Sequence, residues 1–394
     1  MTRLAWSTAG ESHGPALVGI LEGLPAGLPL DLERVNGELT RRQGGYGRGG
    51  RMKIERDRAT LISGVRAGLT LGSPLALSIE NRDQTLERLP VPTNPRPGHA
   101  DLAGCQKLGV RDPRAVPERA SARETAMRVA LAGVARQVLE AFDVEVFAHV
   151  LELGGVAADP DAFDALGARR AELREASDFY SLDPGAEDGM RAAVDEARKA
   201  GDTLGGVFEV RALGLPPGLG GYARPSDRLT ARLGGALFSI PAMKAVEFGV
   251  GCEAARLPGS RYLDPIVAAA PPAGSAGRPS AGGPRPYGRY ARASNRAGGL
   301  EGGLTTGEDL ICRVSMKPIP TLRQGMGTVE FEDLAPVQAT YQRSDVTSVP
   351  AASVVGEALV ALELCRAFLA KFGGDSLAEV GAALASYRAR LEQV

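Results

Sequence analysis

The strongest constraint on this chain is an internal echo. Leu21-Glu-Gly-Leu-Pro-Ala-Gly-Leu28 reappears in altered form as Ala212-Leu-Gly-Leu-Pro-Pro-Gly-Leu219, and each copy follows a strand-like run and precedes a helix-like one. The stretches that follow, DLERVNGELTRR and SDRLTARLGGAL, also align loosely. Two halves built on one strand, turn and helix plan imply a pseudo-symmetric α+β body with its halfway point near residue 200. Taken alone, Leu-Pro-x-Gly-Leu is also a common turn. A chain of 394 residues suits one large domain or two modest ones.

Local signals fill in this plan. Ala16 to Leu21, Ala59 to Ile62, Pro74 to Ile79 and Val144 to Leu153 are strand-sized runs rich in Val, Ile and Leu. Leu32, Val35 and Leu39 have helical spacing behind Asp31, a natural N-cap. The clearest helix follows Ser121: Met127, Leu131, Val134, Val138 and Phe142 share one face, and Ser121 with Glu124 has capping-box spacing. Pro350 opens a helix that runs to about Phe372 and stops at Gly373-Gly374, and Ser376 with Glu379 caps the last one. With 51 Gly and 27 Pro, much of the backbone belongs in turns, and residues 271 to 286 are a Pro/Gly/Ser stretch expected to form a mobile surface loop.

Composition excludes several classes. No run approaches the roughly 18 to 20 apolar residues of a membrane span, and the N-terminus lacks a basic-then-apolar secretion signal, so a cytoplasmic protein with no membrane partner is expected. The balance of 46 basic against 47 acidic residues, with 5% aromatics, argues against a nucleic-acid partner. Cys105, Cys252, Cys312 and Cys365 are scattered without a neighbouring His cluster, so they read as thiols, with no metal site.

Four segments carry chemistry. Gly10-Glu-Ser12-His13-Gly14 matches GxSxG, but it lies too close to the start for a hydrolase elbow, which follows several sheet strands. Gly45, Gly47 and Gly50 satisfy GxGxxG, yet they follow a helix-like segment and are interleaved with arginines. The same stretch suits anion binding, with Arg42, Arg48 and Arg51 offering forked donors; a solvated basic loop has the same composition. Of the three histidines, His13 and His99 sit in polar glycine turns suited to proton transfer, and His149 sits in a strand-like run that suits a structural role. Arg119-Ala120-Ser121 and Arg123 open the best helix, Lys317-Pro318-Ile319-Pro320-Thr321 is a rigid turn fit for a phosphate, and Arg343-Ser-Asp345 is a charged trio. Together these suggest an enzyme acting on a phosphorylated small molecule.

GESHGPALVGILEGLP, RRQGGYGRGGRMKIE, SGVRAGLTLGSPLALSIENRD, RPGHAD, ERASARETAMRVALAGV, GGLEGG, KPIPT and RSDVTSVPAASVVGEAL, in this order and over most of the chain, resemble chorismate synthase. The resemblance implies conversion of 5-enolpyruvylshikimate 3-phosphate to chorismate and phosphate, a 1,4-elimination that closes the shikimate pathway and requires reduced FMN. It also implies an α+β fold of antiparallel sheets packed with helices in a pseudo-duplicated β-α-β sandwich, a single domain over 1–394, and a homotetramer.

Carried over by motif, His13 becomes the acid for the departing phosphate, His99 the proton donor to the flavin and Asp345 a proton acceptor near it. Ser12, Arg42, Arg48, Arg51, Ser121, Arg123 and Arg343 become substrate-binding residues. Arg119, Ala120, Ser121, Ala242, Gly302, Lys317, Pro318, Ile319, Pro320, Thr321 and Arg343 become FMN-binding residues, with the lysine turn on the phosphate. The family also links Arg42 and Arg48 to NADPH; with no extra segment for flavin reduction, a separate flavin reductase is the expected partner. Two departures stand out: Pro241 replaces a usual Asn, removing a side-chain flavin contact, and Cys252 replaces a usual Phe.

Overall fold

A computed structural model describes residues 4–49, 56–82, 91–269, 287–341 and 345–394. The expected loop at 271–286 lies outside the described residues, as do Arg51 and Arg343. The first sheet has four antiparallel strands, in the spatial order Ala5–Ala9, Ala16–Glu22, Leu75–Glu80 and Ala59–Ser63. The second has five, in the order Met243–Phe248, Leu310–Met316, Gly206–Leu213, Glu145–Leu153 and the short edge strand Val156–Ala157.

The duplication is visible in this topology. Leaving aside short hairpin strands and connecting helices, each half runs strand, strand, short helix, strand, strand, long helix, and with the edge strand Val156–Ala157 set aside, the four strands of each sheet stand in the order first, second, fourth, third. The short helices are Leu32–Gln43 and Leu229–Phe238, and the long ones are Thr125–Glu140 and Val349–Phe372. By strand order the chain passes from one unit to the next at Ala141–Val144, whereas residue 200 falls inside the long connection between the first two strands of the second sheet. The sequence echo marks the second strand and short helix of each unit, so an inserted helical connection displaced the apparent midpoint.

The helices form the layer between the two sheets. In Ala16–Glu22 the alternating Leu17 and Leu21 are buried under the helices, while Val18 and Ile20 face outward. The second sheet approaches the long C-terminal helix at Gly356, where an added Cβ would lie 2.4 Å from the Phe208 ring. That helix is buried nearly all round, from Val349 to Phe372, as a central helix must be.

Capping follows the sequence at two sites and departs from it at a third. Asp31 accepts from the Glu33 and Arg34 amides, and Ser376 and Glu379 form a reciprocal capping box. Ser121 and Glu124 do not: Ser121 Oγ accepts from the Arg123 amide, a 3-10 turn intervenes over Ala122–Glu124, and Glu124 is drawn to the Thr8 hydroxyl and Arg128. Tertiary partners outcompeted the local cap.

One carboxylate joins the layers. Glu357, 2% exposed, accepts from Arg41 (2.9 Å), Arg136 (2.5 Å), Arg174 (3.3 Å) and the Ala148 amide (3.2 Å). Burial opposes its charge, but Arg41, Arg136 and Arg174 outweigh burial and hold its pKa below the ordinary glutamate value. Glu357→Gln should therefore destabilise the fold by roughly 3–5 kcal/mol, because buried guanidinium groups lose their counter-charge; a lowered Tm checks this. Because the folded pKa is the depressed one, the wild type should lose this contribution as pH falls below the ordinary value of 4.5, and the variant should show a shallower acid limb.

Candidate active site

Both units send equivalent pieces to one cavity of about 510 Å³. The N-terminal ends of the two long helices contribute Ala122, Arg123 and Thr125 on one side and Ser348, Ala351, Ala352 and Val355 on the other. The segments that follow the two short helices contribute Arg48 and Ile240 to Ala242, with Arg42 from the last turn of the first. Two helix N-termini facing one space give it positive potential and suit an anion.

The first unit supplies the cationic half. Arg42 donates through Nε to Thr125 Oγ1 (3.0 Å) and through Nη2 to the Ala122 carbonyl (2.8 Å), and it shares the fully buried Asp57 carboxylate with Arg123. Arg123 Nε donates to Asn81 Oδ1 (2.8 Å). Burial pulls Arg42 down to about 10, opposed by Asp57 and aided by Arg48 and Arg123, so it stays protonated at neutral pH. Arg48 pairs with Asp345 (2.8 Å) and donates to Ser348 Oγ (3.1 Å); Asp345 also accepts from the Gly49 amide and the Ser348 hydroxyl. Ser12 Oγ donates to Ser121 Oγ at 3.3 Å beside this group.

Both glycine-turn histidines line the cavity, and each is gripped by a carboxylate at Nδ1. His13 Nδ1 lies 2.7 Å from Glu118 Oε1, and the His13 amide donates to Glu118 Oε2 (2.8 Å). His99 Nδ1 lies 2.6 Å from Asp101 Oδ1, and Arg96 donates to both oxygens of the same carboxylate. Burial works against the charge on Asp101, but the bonds from His99 and Arg96 prevail and hold its pKa well below the usual carboxylate range. His149 is elsewhere, buried in the second sheet against Glu209.

The second unit supplies a wall of small and apolar groups: Ile240, Pro241, Ala242, Met316, Ile319 and Pro320. Ala242 takes φ +74°, and its carbonyl accepts from the Lys317 amide (3.0 Å), which joins this turn to the Lys317–Thr321 turn. Lys317 Nζ donates to the Gly98 carbonyl (2.6 Å), and its pKa is lowered by burial and by Lys244. Ala120 and Thr321 also line the space.

Three expected residues do not line the cavity. The Arg119 guanidinium turns to the Thr8 and Gly10 carbonyls, where it braces the first strand. Pro318 is absent from the lining, and Gly302 forms the tip of the hairpin Leu300–Thr305 at φ +60°. Cys252, the second departure, is exposed and also absent from the lining. The hydrolase elbow is excluded by geometry, since Ser12 lies between two paired antiparallel strands and not between a strand and a helix. Sequence reasoning gave no role to Glu118, Asn81 and Arg96, although all three lie inside the quoted motifs ERASARET, SIENRD and RPGHAD, and it missed Asp57, which lies outside every quoted motif.

Gly10 sets the path into the His13 turn. It takes φ +108°, and a Cβ there would lie 2.4 Å from the Ala16 carbonyl oxygen. Gly10→Ala should cost on the order of 1–3 kcal/mol, lowering Tm and, by displacing Ser12 and His13, turnover as well.

Comparison with known proteins agrees with the geometry. A family model described as chorismate synthase matches residues 4–369. The chain is 50% identical over 391 residues to a chorismate synthase of Trichlorobacter lovleyi, covering 96% of each chain, and 48% identical over 411 residues to one of Streptomyces coelicolor, covering 100% of each. A crystal structure of chorismate synthase superposes with a TM-score of 0.80 at 38% identity, covering 100% of both chains. The family match over residues 4–369, the identities near 50% over the full chain and the shared fold show that the chain belongs to the chorismate synthase family of lyases, which release phosphate from 5-enolpyruvylshikimate 3-phosphate to give chorismate.

Proposed function

We propose that the two halves of the cavity divide the work, the first unit holding the phosphorylated substrate and the second holding reduced FMN. The observation that carries this reading is the convergence of two carboxylate-gripped histidines and four arginines, Arg42, Arg48, Arg96 and Arg123, on one cavity whose opposite wall is small and apolar. The residues fit a flavin: Ala242, Ile319, Pro320, Ala351 and Ala352 offer flat apolar surface for a planar ring, and Lys317 with Thr321 offers a cation and a hydroxyl for its phosphate. Ala120 and Ser121 border the same space. Reduced FMN, when bound, lends electron density as phosphate leaves and recovers it, so that no net oxidation results.

The chain's own residues account for binding and proton movement. Arg42, Arg48, Arg123, Ser12 and Ser121 take the phosphate and carboxylates of the substrate, with Arg51 and Arg343 proposed for the same anions from outside the described residues. As the carbon–oxygen bond to phosphate breaks, His13 delivers a proton to the leaving group. His99 holds a proton on the cofactor side, and Asp345 accepts one there. A substrate carboxylate that draws Arg48 to itself leaves Asp345 with only the Ser348 hydroxyl and the Gly49 amide among its described partners.

Arg42 and Arg48 are already assigned to the substrate, and one set of guanidinium donors cannot hold substrate and NADPH at the same time, which favours reduction of the flavin by a separate reductase. Assembly as a homotetramer is supported by the outer face of the first sheet, which exposes Val18 (40%), Ile20 (39%) and Ile62 (62%). No helix among the described residues is long and apolar enough to cross a membrane, and a cytoplasmic setting is proposed with the pathway.

His13→Ala should lose roughly 10²- to 10⁴-fold in turnover, the range of a general acid, with substrate affinity nearly kept; turnover equal to wild type would remove His13 from the mechanism. Arg48→Ala should raise the substrate dissociation constant by about 10- to 100-fold, the loss of a charged hydrogen bond of about 1.5–3 kcal/mol. Titration of the substrate into the flavin-loaded variant checks the second point.

A further inference from the structure

We infer that Glu118 is the residue that positions His13, fixing both the tautomer and the direction of its ring; this rests on the proposed role of His13 as the acid. A carboxylate has only acceptor oxygens, and Glu118 spends both of them on one residue: Oε1 takes Nδ1–H of the ring and Oε2 takes the backbone N–H. The main chain is tied to the same place, because the Ser12 amide donates to the Glu118 carbonyl at 2.9 Å. Three bonds therefore run from the Ser12–His13 turn to a single residue 105 positions away.

The consequence is chemical. With the Nδ1 proton committed to Glu118, Nε2 is the ring nitrogen left to exchange a proton with a bound ligand, and it makes no hydrogen bond to any described residue. The Glu118 side chain is 10% exposed and borders the cavity, and among the described residues no other cation pairs with it, so it faces the ring undivided. Asp101, the counterpart on His99, differs: its two oxygens are shared between His99 and the Arg96 fork. The His13 ring depends on one partner, and the His99 ring sits in a network. Glu118 does not reach the reacting atoms; it acts through His13, as the carboxylate of a hydrolase triad acts through its histidine.

The test uses the full-length enzyme labelled with ¹⁵N histidine. With three histidines in the chain, the ring signals can be assigned by substitution. As the acid, the His13 ring carries a proton on each nitrogen and gives up the one on Nε2; titrated to its neutral form, wild-type His13 should therefore keep the Nδ1–H tautomer, and a dominant Nε2–H neutral form would overturn the proposal. Glu118→Gln has one acceptor where Glu118 has two, so it should lower turnover at least about 10-fold, and no further than the roughly 10²- to 10⁴-fold that the acid itself supplies, with substrate KM unchanged. Glu118→Asp, which keeps both acceptors, should recover part of that loss. On a His13→Ala background, Glu118→Gln should have no further effect; an equally large loss there, or full turnover in Glu118→Gln alone, would overturn the proposal. Should His13→Ala itself keep full turnover, the acid reading fails, and the tautomer signal still decides whether Glu118 sets the ring.

Discussion

A single buried carboxylate holds the two duplicated units in register. Glu357 sits on the long C-terminal helix and receives Arg41 from the first short helix, Arg136 from the first long helix, Arg174 from the inserted helical connection and an amide from the second sheet. Apolar helix packing alone tolerates small sliding, whereas a carboxylate shared by three guanidinium groups is satisfied in one arrangement only. Such a centre adds little stability relative to an apolar core, but breaking it is costly, which makes it a device for specifying the arrangement. The helix ends that shape the cavity lie on these same helices, so the geometry of the site depends on this centre.

Duplication explains why the cavity exists. Each unit brings the start of its long helix and the end of its short helix, or the segment just after it, to the cavity, so four such ends surround one space. The copies then diverge. The first carries Arg42, Arg48 and Arg123 around the buried Asp57, while the second carries Ile240, Pro241 and Ala242 above the Lys317 turn. One half is built for charge and the other for a flat apolar surface. Pro241 belongs to this second half, and its turn is held to the Lys317 turn by a backbone link through the Ala242 carbonyl.

What could be read from sequence follows the range of the interactions involved. The Leu-Pro-x-Gly-Leu echo, the Asp31 cap and the Ser376–Glu379 box are local, and each appears as expected. His13 and His99 were visible because histidine is scarce and both lie in glycine turns. Glu118 and Asp57 were not, since a carboxylate's worth here lies in partners 105 and 66 residues away, a separation that no local pattern encodes. Arg119 and Glu124 show the opposite error: both had plausible local roles, and both were recruited by Thr8 on the first strand. The midpoint near residue 200 was displaced because an insertion between two strands leaves topology intact while shifting the count of residues.

The most direct test of the account is anaerobic turnover of 5-enolpyruvylshikimate 3-phosphate, with phosphate and chorismate measured together in parallel reactions containing no FMN, oxidised FMN and chemically reduced FMN. The account predicts equal amounts of both products with reduced FMN alone. Phosphate released without flavin, or a well-folded enzyme silent in all three reactions, would contradict it.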